Sequence, residues 1–249
     1  MSKTNAIQKP VILVTRPEKQ GRELVQKLQN SGFNAISQPL FSYKLKINKT
    51  EITSKLSKTN NPILIFVSVA AVEFAHKAYR LNDWQHSCVI AVGKKTQQAL
   101  LNLGIEAISP TQQDSEGLLT LSQLQSIEKR DVIIVRGDGG RELIAQSLSQ
   151  RGGNVQYLEV YQRVWLKLQK DIDDVWQKQN VNTVVVTSNA LLESIVNLID
   201  VCDNYWQSKC LWVVPSQRVA DNAAAMGLQK VINANGASDK AILEALVSA

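Results

Sequence analysis

The sequence predicts an α/β protein of two lobes, each a parallel sheet flanked by helices, with the lobes joined by two extended crossing strands and a cleft between them. Three observations lead there. Short β-branched runs alternate with helical runs along the whole chain, the pattern of parallel sheets covered on both faces. The plan recurs after roughly 120 residues, which asks for two hydrophobic cores. Between Val132 and Arg163 a strand breaks at Arg136-Gly137-Asp138-Gly139-Gly140, a helix follows, and a second alternating strand carries Tyr161, which makes one βαβ unit.

In chain order, Val11–Val14 is a strand that runs into Thr15-Arg16-Pro17 and a helix containing Gly21-Arg22-Glu23-Leu24. Its echo is Val132–Val135, followed by Gly140-Arg141-Glu142-Leu143. Ile65-Phe66-Val67-Ser68 opens a helix at Val69–Val72, echoed by Val185-Val186-Thr187-Ser188 before Asn189–Leu192. Cys88–Gly93 is echoed by Cys210–Pro215, and Ser115-Glu116 by Ser238-Asp239. Ser68, Ser115 and Ser238 are suited to cap helix starts, and Gly32, Gly104, Gly152 and Gly227 to end helices. Two segments read as crossings between lobes, residues 37–44, where Pro39 interrupts an extended run, and residues 159–164. Strand alternation puts Tyr157, Glu159, Tyr161 and Arg163 on one face of the second crossing, with Leu158, Val160 and Val164 on the other.

Composition narrows the function. Of 249 residues, 44% are hydrophobic, enough for packed cores, and the net charge of +6 favours an anionic ligand. Nucleic acid is not expected, since no basic run exceeds Lys94-Lys95 and no basic stripe is interleaved with aromatics. Cys88, Cys202 and Cys210 form no C-x-x-C, which argues against disulfides and zinc and for a reducing compartment. Met1–Lys9 lacks the apolar core of a signal peptide, and Ile63–Val72 is too short to span a bilayer, so a cytoplasmic protein without membrane contact is expected. His76 and His86 lie outside the glycine turns and read as surface or interface residues, with no metal site.

The glycine turn is neither a dinucleotide fingerprint, because Glu142 stands where the third glycine belongs, nor a P-loop, because no Gly-Lys-Ser/Thr follows. Parallel sheets bind ligands at the carboxyl ends of their strands. Six such turns are legible: Thr15-Arg16-Pro17, Ser68-Val69, Gly93-Lys94-Lys95, Arg136-Gly137, Thr187-Ser188-Asn189 and Pro215-Ser216-Gln217-Arg218. Apart from Glu18 and Asp138 they hold no acid, and they hold no histidine or cysteine, which disfavours a hydrolase triad and metal chemistry. They suit a polyanion held by backbone N–H groups and helix N-termini, each worth about 0.3–1 kcal/mol.

These residues resemble the uroporphyrinogen-III synthase family over nearly the whole chain. The resemblance is carried by Thr15-Arg16-Pro17, by the R-G-x-G-G-R-E-L run from Arg136 to Leu143, and by Tyr161-Gln162-Arg163. Ala91-Val92-Gly93 with Thr96, Ser115–Gly117, Val186–Ser188 and Ala237–Asp239 add to it. Val67 departs from the family's threonine, and Ser216 lies in a turn whose hydroxyls vary. The resemblance implies a discontinuous first lobe of residues 1–38 and 164–249, a second lobe of residues 42–160, and an active site in the cleft. It implies cyclisation of hydroxymethylbilane, a linear tetrapyrrole with eight carboxylates, to uroporphyrinogen III with inversion of the last pyrrole, without cofactor or metal. Tyr161 matches the functional tyrosine. Ser68, Thr187, Ser188, Ser216 and Gly137 are candidate carboxylate contacts; Arg16 and Arg136 either bind carboxylates or hold their turns together. A monomer is expected. The rival reading is a non-enzymatic bilobal binder of a small anion such as a phosphorylated sugar.

Overall fold

The computed structural model describes residues 11–140, 142–200 and 203–249. The sequence readings on Met1–Lys9, Arg141 and Cys202 lie outside the described residues. The strands are β1 (Val11–Val14), β2 (Asn34–Ser37), β3 (Phe41–Leu45), β4 (Ile63–Phe66), β5 (Cys88–Ala91), β6 (Asp131–Gly137), β7 (Asn154–Trp165), β8 (Val181–Val185), β9 (Leu211–Val214) and β10 (Val231–Asn233). The helices are α1 (Glu18–Asn30), α2 (Lys49–Leu56), α3 (Val69–Ala78), α4 (Lys94–Leu101), α5 (Ser115–Leu119), α6 (Leu143–Gln150), α7 (Ile172–Lys178), α8 (Asn189–Val196), α9 (Gln217–Ala225) and α10 (Asp239–Val247). The chain divides into two compact units, one running to Ser42 and resuming at Val164, the other spanning Tyr43–Arg163.

The first unit is built on a sheet of order β10-β9-β8-β1-β2, parallel throughout. β1 lies inside the sheet, so its residues 12–14 are buried on both faces. Ile12 and Val14 meet Leu24 and Leu28 of α1 and Ile242 and Leu246 of α10. Leu13, between them, alternates to the other face. Trp176, Trp206 and Trp212 are buried in this unit, the first two in edge contact at 6.2 Å.

The second unit has the order β3-β7-β6-β4-β5. β4, β5, β6 and β7 pair in parallel. β3 runs against β7: Leu166 N donates to Leu40 O and Lys46 N to Val160 O, so the paired numbers move in opposite directions. One face packs on α2, α3 and α4 through Ile52, Val72, Ala75 and Leu100, the other on α5 and α6 through Leu118, Ile144 and Leu148. Burying each large aliphatic side chain of this kind stabilises by about 1.5–3 kcal/mol.

The duplication holds at the level of hydrogen bonding, with its register corrected. Val11 pairs with Asn34 as Asp131 pairs with Asn154, and Val14 pairs with Val185 as Ile134 pairs with Ile65. Val11 therefore corresponds to Asp131, not to Val132, and Arg16 to Arg136. Similarly Cys88 corresponds to Leu211 rather than Cys210. Apolar runs slide by one residue without changing their appearance in sequence; only the ladder fixes the phase. Even β10 has a counterpart, the single parallel bridge of Ile108 to Ile90.

Helix ends follow the sequence closely. Gly32, Gly104, Gly152 and Gly227 take φ of +85°, +75°, +79° and +90°, where a Cβ would be strained. Ser68 and Ser238 cap α3 and α10. Ser115 does not cap α5: Asp114, one residue earlier, accepts the bond from Gly117 N, and Ser115 is the first helical residue and is buried. Asp is as good a cap as Ser, so the sequence offered two adjacent choices.

Candidate active site

The six strand-end turns divide evenly. Three follow β1, β8 and β9 in the first unit; three follow β4, β5 and β6 in the second. In the first unit Ser188 Oγ caps α8 by accepting from Leu191 N at 3.3 Å, and Thr187 is half-buried. Ser216 stands at the N-cap of α9 with extended backbone and no side-chain cap bond.

Arg16 is almost wholly buried, at 7% exposure, and both terminal guanidinium nitrogens have internal partners. Nη1 donates to Asp239 Oδ1 at 2.5 Å and Nη2 to the carbonyl of Ala237, while Lys27 Nζ reaches Asp239 Oδ2 at 2.5 Å. Burial works against ionising Asp239, but the bonds and charges of Lys27 and Arg16 outweigh it and hold the carboxyl below its ordinary 3.8. A depressed carboxyl pKa stabilises the fold above the unfolded value and ceases to do so as pH falls through the folded one. Replacing Arg16 by Ala is expected to cost about 2–3 kcal/mol, less than the 3–5 kcal/mol of a fully buried pair because Lys27 remains. Chemical denaturation at pH 7 and in acid below the lowered Asp239 value checks this: the deficit should shrink in acid, and an equal deficit at both would contradict it.

In the second unit a β-bulge decides what Tyr161 faces. Arg136 pairs with Glu159 but Gly137 pairs with Tyr161, so Val160 is skipped. A bulge of this kind re-aims the residues beyond it. Simple alternation would keep Tyr157 and Tyr161 on one side, and the structure corrects that. Tyr157 packs with Ile134 and Ile144, whereas Tyr161 packs on the opposite face, the one holding Leu158 and Val160. There Tyr161 meets Tyr43 edge-on at 4.7 Å and Phe74 at 5.3 Å, and its hydroxyl lies 3.4 Å from Ser68 Oγ. Ser68 also accepts from Ala71 N at 3.1 Å. Gly137 lies beneath the ring: a Cβ there would come within 2.4 Å of Tyr161 Cε2 and 2.5 Å of Cζ. Burial, then the neighbouring Tyr161, pushes the Tyr43 hydroxyl above its ordinary pKa, so it stays protonated.

Arg136 occupies the other face. It is 4% exposed and its Cζ lies 4.4 Å above the Tyr157 ring. Nε donates to Gly137 O at 3.2 Å and Nη1 to Glu142 Oε1 at 3.3 Å, whereas Nη2 has no hydrogen-bond partner among the described residues. Tyr157 donates to Glu142 Oε2 at 2.6 Å. Burial and that bond push the Tyr157 hydroxyl up to about 12, and the same bond, then Arg136, keeps Glu142 ionised below its usual range. Beside Arg136 is a pocket of about 200 Å³ lined by Ser115, Val67, Val92, Ile134, Ile144 and the Gly139-Gly140 backbone.

Ser68, Gly137 and Tyr161 thus come together, and Arg136 lies apart from them on the reverse of the same strand. Tyr43, Phe74, Ser115 and Tyr157 were not singled out as site residues from sequence; Tyr43 sits in the first crossing segment, where aromatic alternation with Phe41 was a usable signal. Among the described residues no group of three His, Cys, Asp or Glu is placed to hold a metal, and no helix is long and apolar enough to cross a membrane. Burial raises the Cys88 thiol and pushes that of Cys210 to about 12, so neither is a ready nucleophile.

Fold and site define a class: duplicated parallel α/β units whose polar groups gather at the carboxyl ends of their strands. The family model described as Uroporphyrinogen-III synthase HemD matches residues 22–244, and the chain belongs to the uroporphyrinogen-III synthase family. It is 34% identical over 243 residues to the uroporphyrinogen-III synthase of Escherichia coli K12, covering 94% of this chain and 99% of that protein. The Salmonella typhimurium LT2 enzyme is 33% identical over 244 residues, with the same coverage of 94% and 99%. Among solved structures, uroporphyrinogen-III synthetase from Helicobacter pylori 26695 superimposes with a TM-score of 0.64 at 13% identity, covering 97% of this chain and 99% of that one. A mutant uroporphyrinogen III synthase from the extremely thermophilic bacterium Thermus thermophilus gives 0.59 at 12% identity, covering 96% of each chain. At such identities these two speak for the fold alone.

Proposed function

We propose that the protein cyclises hydroxymethylbilane to uroporphyrinogen III in tetrapyrrole biosynthesis, inverting the last pyrrole and releasing water, without cofactor. Family membership supports the reaction, and the family's matches give the non-enzymatic anion binder no support. The observation that carries the site is the Tyr161 hydroxyl, turned by the β7 bulge toward Ser68 over the backbone of Gly137. Tyr161 assists loss of the substrate hydroxyl by donating a hydrogen bond or a proton to it. Electron-rich pyrroles expel the leaving group, so the protein's task is chiefly to fix the substrate's geometry. A hundredfold preference for the inverted closure needs only about 2.7 kcal/mol of differential transition-state stabilisation. No strong acid–base couple is required.

Ser68, Thr187, Ser188, Ser216 and the Gly137 backbone are proposed as contacts for substrate carboxylates. Arg136 is proposed as a carboxylate ligand; Arg16, with Asp239 and Ala237 as partners, holds its turn. The protein is proposed to act as a cytoplasmic monomer on this small molecule, with neither nucleic acid nor membrane as partner. Mixing hydroxymethylbilane with protein at a small fraction of its concentration tests the activity. Consumption well ahead of the buffer control, through many turnovers, is expected; the buffer rate would refute it.

A further inference from the structure

The duplicated sheets permit an internal comparison at their two buried arginines. Arg16 and Arg136 are equivalent by ladder register, since Val14 and Ile134 hold matching places beside β8 and β4. The same register carries across each sheet: Val213 and Ile90 match, as do their neighbours Ile232 and Ile108. Seven residues beyond this last pair stand Asp239 and Ser115, each the first residue of its helix. In the first unit Asp239 gives Arg16 a carboxylate. In the second, the equivalent position offers only the buried Ser115, and both Ser115 and Arg136 line the pocket. Glu142 serves one edge of the Arg136 guanidinium from a half-exposed position, and Nη2 keeps no partner among the described residues.

A buried guanidinium nitrogen without an acceptor is costly to the fold and is rarely retained without a use. We propose that the Arg136–Ser115 pocket binds a carboxylate group on a short hydrocarbon stem, standing where Asp239 stands in the first unit. The walls favour that chemistry over a hydrated phosphate, because Arg136, Ser115 and the Gly139-Gly140 backbone gather the polar groups around one anionic head, while Val67, Val92, Ile134 and Ile144 can cover a hydrocarbon stem that a phosphate lacks. The size suits part of a ligand: about 200 Å³ is smaller than the roughly 300–1,000 Å³ of sites that enclose complete small molecules. One acetate or propionate arm of a larger polycarboxylate fits. This identification of the arm's owner rests on the proposed function, whereas the carboxylate site itself does not. Gly140 makes the approach possible, with φ of +123° and a would-be Cβ 3.0 Å from Nη2. Since Tyr161 and Arg136 lie on opposite faces at the end of one strand pair, a substrate lying over that edge would be anchored on one face and react on the other.

The decisive variant is Ser115→Asp, which copies the first unit's arrangement into the second. It should raise Tm and increase KM for hydroxymethylbilane about ten- to a hundredfold with kcat changed less than about twofold, the loss of one charge-assisted bond. Ser115→Asn adds the same bulk without charge and should leave Tm unchanged and raise KM much less. Independently of turnover, sodium propionate at constant ionic strength should raise the Tm of the unaltered protein and not that of Ser115→Asp, with inorganic phosphate ineffective. An unchanged KM in Ser115→Asp, together with no propionate effect, would overturn the proposal, as would protection by phosphate alone. Propionate protection in a protein that does not consume hydroxymethylbilane would uphold the carboxylate site while refuting the proposed reaction.

Discussion

Tyr161→Phe is expected to lower kcat about a hundredfold or more, within the range of about 10²–10⁴ typical of a positioned proton or hydrogen-bond donor. Only the hydroxyl is lost. The ring keeps its contacts with Tyr43 and Phe74 and its seat on Gly137. The hydroxyl's neighbour, Ser68 Oγ at 3.4 Å, is at the long limit of a hydrogen bond, so the stability change should stay below about 1 kcal/mol. Steady-state turnover beside a denaturation curve separates the two effects. Unchanged turnover would remove the assignment, and a collapse in stability would make Tyr161 a packing residue.

Gly137→Ala should do comparable damage without touching the tyrosine. The added methyl would lie 2.4 Å and 2.5 Å from ring atoms of Tyr161, about 1 Å inside van der Waals contact, and the partner atoms are a rigid ring, not a flexible chain end. The ring must move by about that amount, and a misplacement of about 1 Å can cost about a hundredfold in rate. Overpacking adds about 1–3 kcal/mol of destabilisation, so the assay belongs well below the variant's melting temperature. The informative quantity is the double-mutant cycle. If Gly137 acts by seating the Tyr161 hydroxyl, alanine should cost kcat less than about threefold once residue 161 is phenylalanine. Full additivity would mean that Gly137 serves the reaction by another route.

The architecture was legible because each of its signals is local. Alternating runs, Ser68 and Ser238 at helix starts, and glycines at helix ends all express backbone needs that a few residues fix. The duplication was legible in outline, yet its phase was not: Val11 aligns equally well with Asp131 or Val132 until hydrogen bonds are drawn. That single-residue slip hid the equivalence of Arg16 and Arg136, on which the contrast between a paired and an unpaired arginine depends. Tyr161 was legible through its motif, but its facing was not, because a bulge adds one residue to a count that alternation assumes regular. Tyr43 and Phe74 reach Tyr161 from β3 and α3, far apart in sequence, and such contacts leave no local trace. Glu142 was visible as part of the repeated glycine-turn motif and as the residue that spoils a dinucleotide fingerprint; its bonds to Arg136 and Tyr157 needed three dimensions.

That the protein directs ring closure by holding one substrate geometry is tested most directly by the isomer composition of its product. Hydroxymethylbilane closes on its own to the uninverted ring, so the two outcomes carry separate signatures. After incubation with catalytic amounts of protein and oxidation to the porphyrins, the inverted isomer should exceed the uninverted one by about a hundredfold, the ratio that about 2.7 kcal/mol of selective stabilisation gives. A product dominated by the uninverted isomer, as in buffer alone, would contradict the account.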